Sequence, residues 1–208
     1  MFQEGMSVTA LMFGMVVFAL VGAITPGPVN ILAVRHGSNG KPSVAMAYVM
    51  GASLSYTLVV WLMGKGGEQL LGNQVVMQAM KWAGAGYLMY LAWHIATAIP
   101  SELQGSTALQ RNTAARAFID GSMTQTLNPK AWMVALSGVG LFVLPQTDVQ
   151  VALRLFCGVS LLACAFGVGC WAIAGRILTH WLAVPARQKL FNQAMGVLLA
   201  YSVANMVR

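Results

Sequence analysis

The sequence predicts an all-α integral membrane protein in which six transmembrane helices form two inverted three-helix repeats. Of its 208 residues, 58% are hydrophobic and 8% are charged, and mean hydropathy is +0.69. A soluble domain is about 45–50% apolar and roughly 25% charged. Twelve basic and five acidic residues cannot cover a soluble globule of this length. The composition therefore excludes an ordinary cytosolic enzyme, a disordered chain and a coiled coil.

Long runs without charge give the individual helices. A helix needs about 20 apolar residues to cross the hydrocarbon, at about 1.5 Å per residue. Five charge-free runs are long enough, and a sixth apolar stretch is interrupted by Asp120 and Lys130. The predicted spans are residues 6–34, 43–64, 76–98, 115–144, 149–174 and 188–207.

We expect the first span to be retained rather than removed as a signal peptide. Glu4 precedes it without any Lys or Arg, and its apolar region exceeds the usual 7–15 residues or so.

The basic residues are spread singly along the chain, which argues against nucleic-acid binding and for a role in orientation. The loops after spans 1, 3 and 5 carry seven basic residues, whereas the other side carries four. The positive-inside rule then places both termini on the non-cytoplasmic side. The seven are Arg35, Lys41, Arg111, Arg116, Arg176, Arg187 and Lys189.

The loops are too short to fold as soluble domains, so residues 1–208 are predicted to form one transmembrane domain. Residues 1–98 form the first repeat, residues 99–114 a polar linker, and residues 115–208 the second repeat. Because each repeat has an odd number of spans, the second must be inverted relative to the first. Inverted repeats build many transporters, with the substrate site at the midplane between the halves.

Each half carries one interrupted helix. Span 1 contains the run Thr25-Pro26-Gly27-Pro28-Val29-Asn30, and span 4 contains Asn128-Pro129-Lys130. Proline removes a backbone donor and breaks the helical ladder. In lipid such a break is tolerated only where protein or a water-filled cavity satisfies the freed groups. A packing kink would explain one break, but two matched breaks that combine Pro with Asn indicate a binding site.

Lys130 is predicted near mid-membrane, roughly 20 Å from the far end of its helix. Burying such a cation costs about 2.5–3.5 kcal/mol on insertion scales, so it should face a polar cavity. A contact with a carbonyl freed by the helix break is the structural alternative.

Asp120 is the one acidic residue predicted inside a span, near the cytoplasmic mouth. It is a candidate for proton coupling or gating, or else a surface residue at a helix end. In span 2, Ser53, Ser55, Tyr56 and Thr57 either line a path or bond to the carbonyls of their own helix.

Metal binding and enzymatic chemistry are not expected. The three histidines share no i,i+3 or i,i+4 spacing, and the three cysteines form no Cys-x-x-Cys pair. No serine lies beside a histidine at depth, as an intramembrane nucleophile would require. A metal-cation exporter and a non-transport membrane subunit remain the alternatives.

The two proline motifs make the chain resemble the LysE/RhtB family of bacterial amino-acid exporters. The resemblance spans nearly the whole chain and includes Phe118-x-x-Gly121 ahead of Asn128-Pro129-Lys130. The stretches Trp82–Thr97 and Phe142–Thr147 resemble the branch that exports cysteine and O-acetylserine. Family members commonly carry two asparagines after the first motif, whereas here Val29 replaces the first of them.

The resemblance implies proton-driven efflux of small amino acids across the bacterial inner membrane, without a prosthetic group. We therefore expect substrate contacts from the two proline motifs and alternating access by rocking of the repeats. The expected partners are the amino acid, protons and the lipid bilayer, and a homo-oligomer is left open. The residues expected to bind substrate are Thr25, Pro26, Gly27, Pro28, Asn30, Asn128, Pro129 and Lys130.

Overall fold

The computed structural model describes residues 8–38, 41–66, 74–97, 113–178, 180–181 and 184–207, and this part of the chain is helical without strands. The predicted polar linker lies almost wholly outside the described residues. Eight α-helices occur in the described ranges: α1 (Val8–Ile24), α2 (Pro28–Ser38), α3 (Pro42–Gly64), α4 (Gln74–Ala96), α5 (Ala114–Thr126), α6 (Pro129–Phe142), α7 (Val149–Ile177) and α8 (Pro185–Val207).

Two helices of the described chain, α3 and α7, are each long and apolar enough to cross a membrane. The pair α1 and α2 also passes when it is taken as one span bent by 65°. The described residues thus contain two or three candidate spans by length and hydropathy, and the count of six remains a prediction.

Helices α3 and α7 pack against each other at the centre of the protein. Helix α3 also packs against α5 and α6, and α7 packs against α1 and α2. Each central helix therefore contacts the interrupted pair that belongs to the other predicted repeat. Helices α4 and α8 pack against each other beside this core.

Glycines bring two pairs of helices into backbone contact. A Cβ at Gly51 of α3 would collide with the carbonyl of Phe118, and one at Gly121 of α5 would collide with the carbonyl of Tyr48. At the crossing of α2 and α7, Gly37 and Gly175 form a second reciprocal pair. Small residues allow such close approach between membrane helices, where packing and not the hydrophobic effect drives association.

Three phenylalanines contact one another where α1, α6 and α7 meet. The ring centroids of Phe18 and Phe142 are 5.5 Å apart, and that of Phe156 lies 6.4 Å and 6.1 Å from them. Side chains rather than backbones therefore fill this crossing.

Candidate functional site

The first helix break lies between Ile24 and Pro28. In an α-helix the N–H of each residue bonds to the carbonyl four residues earlier. Pro26 and Pro28 have no N–H, so the carbonyls of Gly22 and Ile24 lose their helical donors. Helix α2 restarts with a bond from the Ile31 N–H to the Gly27 carbonyl, 3.0 Å long.

Side chains replace several of the lost donors at the first break. The indole Nε1 of Trp171 donates to the Ile24 carbonyl at 3.0 Å. The amide Nδ2 of Asn30 donates to the carbonyls of Ala23 and Thr25, both at 2.9 Å. Asn30 is only 4% exposed, so both bonds are enclosed by protein. The amide thus ties the start of α2 to two carbonyls at the end of α1 and the beginning of the turn.

Lys130 reaches the same turn from the other predicted repeat. Its ammonium Nζ donates to the Thr25 carbonyl at 2.9 Å, and the side chain is half-buried. The sequence left open a polar cavity or a freed carbonyl as its surroundings, and the structure gives Lys130 both. An ammonium has three donors, so the bond to Thr25 leaves two available for a ligand.

The second helix break lies between Thr126 and Pro129 and is repaired locally. The side-chain oxygen Oδ1 of Asn128 accepts a bond from the Lys130 N–H at 3.1 Å and so caps α6. Pro129 occupies the first position of that helix, where no backbone donor is needed. The indole Nε1 of Trp132 donates to the Thr126 carbonyl at 2.7 Å.

A cavity of about 420 Å³, measured with its open mouth, lies between the two breaks. Residues from both proline motifs line it together with one face of α3, α5, α6 and α7. The lining residues are Gly22, Ala23, Thr25, Gly27, Val29, Asn30, Tyr56, Gln125, Asn128, Lys130, Ala131, Val134, Cys164 and Val168.

Five of the eight residues expected to contact substrate line this cavity: Thr25, Gly27, Asn30, Asn128 and Lys130. The three prolines of the motifs, Pro26, Pro28 and Pro129, are not among the lining residues. The prolines act by ending the helical bonding pattern, and the neighbouring polar groups face the opening. Substrate contact by any of the eight stays a prediction.

Asp120 does not line the cavity. Its carboxylate oxygen Oδ2 lies 3.9 Å from Nε2 of His36, so the contact joins α5 to α2. The His36 ring is 7% exposed and stacks on Tyr48 with centroids 4.5 Å apart. The carboxylate is half-exposed rather than enclosed, which suits a residue near one mouth of a pathway.

Sequence reasoning missed several contributors to the site. Neither Trp132 nor Trp171 was singled out, although each indole satisfies a carbonyl at a helix break. Gln125 and Cys164 were likewise not expected to line a site. A partial signal existed for Trp132, because it follows a proline break by about one helical turn.

The hydroxyl-bearing residues of α3 divide between the two roles left open for them. Ser53 donates to the Val49 carbonyl at 2.7 Å, and Thr57 donates to the Ser53 carbonyl at 2.9 Å. Tyr56 instead lines the cavity. Among the described residues, no three His, Cys, Asp or Glu side chains gather in a way that could hold a metal ion.

Comparison with known proteins assigns the chain to a family. The model of the LysE type translocator family matches residues 20–207. The cysteine/O-acetylserine efflux protein of Escherichia coli O1:K1 is 32% identical over 188 residues, which cover 88% of this chain and 91% of the relative. The proteins of the same name from Escherichia coli K12 and Shigella sonnei are 31% identical over the same shares.

No solved structure matches the chain. The family model covers nearly the whole chain, including both helix breaks and the cavity between them. The protein is therefore a membrane transporter rather than an enzyme, and it belongs to the LysE family of translocators.

Proposed function

We propose that the protein is a secondary active exporter that moves small amino acids or their derivatives out of the cytoplasm by alternating access. The observation that carries the proposal is the cavity lined from both helix breaks, with Lys130 at its wall. The relatives named as cysteine/O-acetylserine efflux proteins support the substrate class.

Six spans in two inverted repeats would account for the packing. Helix α3 contacts α5 and α6, and α7 contacts α1 and α2. Exchanging the repeats turns one set of contacts into the other, as an inverted repeat requires. Rocking of residues 1–98 against residues 115–208 would then open the cavity to one side at a time.

The amino-acid carboxylate would bind at Lys130. Two donors of the ammonium remain after its bond to Thr25, and the N-terminus of α6 adds the positive end of a helix dipole beside it. The α-ammonium of the substrate would meet a carbonyl oxygen at the first break, such as that of Gly22, which lines the cavity and has lost its helical donor at Pro26.

Asp120 would couple transport to protons or gate one mouth. Its contact with His36 joins the two predicted repeats, so rocking would change its surroundings. The positive-inside rule places this mouth on the cytoplasmic side of the inner membrane and both termini on the opposite side. A metal-cation exporter is disfavoured because the cavity wall carries an ammonium.

Uptake into inside-out membrane vesicles under a pH gradient tests the role of Lys130. Lys130→Ala should abolish amino-acid transport while membrane insertion persists. Lys65→Ala is the matched control, because Lys65 is exposed and bonds to Gln150 outside the cavity. Near-normal transport by Lys130→Ala would refute the proposed carboxylate site.

The same vesicles test the role of Asp120. Asp120→Asn should weaken the dependence of transport on the pH gradient, because the amide cannot exchange a proton in this range. An unchanged dependence would exclude Asp120 from coupling. Growth-inhibition panels with toxic amino acids and analogues, in cells overexpressing the protein, would identify the substrate to use.

A further inference from the structure

The cavity contains polar side chains of two kinds. Asn30 and Asn128 are committed to the backbone, since they satisfy carbonyls at the first break and cap α6 at the second. Breaking those bonds to bind a ligand would expose the helix ends that they stabilise. Apart from Lys130, the proline motifs therefore offer few side-chain groups that are free to meet a substrate.

Tyr56 and Gln125 are polar cavity residues whose side chains are not committed to the backbone. Both line the cavity and each is 7% exposed. Within the part of the chain that the structure describes, neither the phenol nor the carboxamide makes a side-chain hydrogen bond. Polar groups of largely buried side chains are normally paired, so a hydroxyl and a carboxamide that lack a partner among the described residues and lie at a cavity wall are suited to a ligand.

The geometry points to Tyr56 and Gln125 as the residues that recognise the substrate's side chain. They would select small amino acids that carry a hydrogen-bonding group there, such as a thiol, hydroxyl or ester, over apolar amino acids of equal size. This inference rests on the proposed export function and adds a basis for its specificity. Lys130 would hold the carboxylate common to all amino acids and so could not discriminate among them.

The expected selectivity has a physical basis. A pocket built to hydrogen-bond a substrate group rejects an analogue that lacks it, because the buried polar groups of the pocket are then left unpaired. The remaining wall is formed largely by small or branched apolar residues, which limit the size of the side chain that fits. Those residues are Ala23, Val29, Ala131, Val134 and Val168.

Competing transport of cysteine and 2-aminobutyrate in vesicles under reducing conditions measures this selectivity, since the two differ by a thiol in place of a methyl group. Wild type should prefer cysteine. Tyr56→Phe and Gln125→Leu should each lower the ratio of the two kcat/KM values about three- to tenfold, the equivalent of one hydrogen bond. Tyr90→Phe and Gln150→Leu are matched controls, because both residues are exposed outside the cavity.

Ligand-induced stabilisation provides a second readout that does not require transport. Cysteine should raise the Tm of the purified wild-type protein more than 2-aminobutyrate does, because a ligand stabilises the state that binds it. The difference between the two ligands should shrink in both cavity variants and persist in both controls. Serine and alanine, which differ by one hydroxyl, repeat the comparison with a smaller pair.

The outcomes separate the two proposals. If wild type transports no amino acid, the export function fails. If it transports amino acids but does not favour the polar member of each pair, the inference is overturned and the export function stands. The inference is also overturned if both cavity variants fold and keep the wild-type ratio.

Discussion

The two helix breaks are similar in sequence and opposite in construction. At the first, the carbonyls of Ile24 and Thr25 receive bonds from Trp171 and Lys130, which lie 147 and 105 residues away. At the second, the bonds come from Asn128 and Trp132 within one or two helical turns. The second break can therefore form wherever α6 begins, whereas the first is complete only when distant helices are in place.

This difference would matter if the two predicted repeats rock against each other, as proposed above. A local cap moves with its helix and is unaffected by motion between the halves. A hydrogen bond supplied by a helix of the other half must break or change its geometry when the halves shift, unless the two helices move together. We infer that the first break is the one whose hydrogen bonds respond to the conformational cycle, and the variants below test that contrast.

The largest loss of stability is expected for Asn30→Leu. The substitution leaves the Ala23 carbonyl without its donor and removes one of two donors from the Thr25 carbonyl. An unsatisfied buried group costs about 1–3 kcal/mol, so the loss in stability should be roughly 2–4 kcal/mol. Thermal unfolding in detergent measures it. Asn30→Asp keeps the shape of the side chain but offers only acceptors, so it should be as unstable as Asn30→Leu. An Asn30→Asp variant as stable as wild type would contradict the hydrogen bonds described here.

Trp171→Phe should cause the next largest loss of stability. It keeps an aromatic ring but removes the N–H that bonds to Ile24, at an expected cost of about 1–3 kcal/mol. Because that bond joins α7 to the break between α1 and α2, vesicle transport should fall together with stability. Full transport with reduced stability would mean that the bond only holds the fold together.

Trp132→Phe is the matched change at the second break. Its bond to the Thr126 carbonyl is also lost, so the free energy of unfolding should fall by about 1–3 kcal/mol. Since the bond spans only six residues, transport per folded molecule should stay closer to wild type than in Trp171→Phe. Equal loss of transport in the two tryptophan variants would remove the proposed difference between the breaks.

Asn128→Ala should have the smallest effect. Loss of a helix N-cap costs typically about 1 kcal/mol. Asn128→Ser and Asn128→Asp retain a capping oxygen and should recover most of that stability in the same unfolding measurement. Failure of both to recover it would show that Asn128 contributes more than the cap.

Much of the site could be read from the sequence because the relevant chemistry is local. Proline lacks its N–H wherever it occurs, and a lysine within an apolar stretch must find polar surroundings. Residues Thr25, Gly27, Asn30, Asn128 and Lys130 were named on those grounds, and all line the cavity. Family membership was recognisable on the same motifs.

Other features could not be read in this way because they depend on which helix faces which. Trp171 lies within an apolar run that gives no sign of a partner near residue 24, and its role follows from the packing of α7 against α1 and α2. Gln125 was not singled out in the sequence, and Tyr56 was one of four hydroxyl-bearing residues with two possible roles, until the crossing of α3 and α5 brought both residues to one cavity.

The sequence by itself determined the membrane character, the family and the places where the backbone must leave helical geometry, because composition and the missing N–H groups of proline act without regard to distant residues. Only the tertiary structure decided which donors satisfy the freed carbonyls and which polar side chains remain for a ligand. Hydrogen bonds act over about 3 Å, so residues more than a hundred positions apart can form them only after the helices have packed.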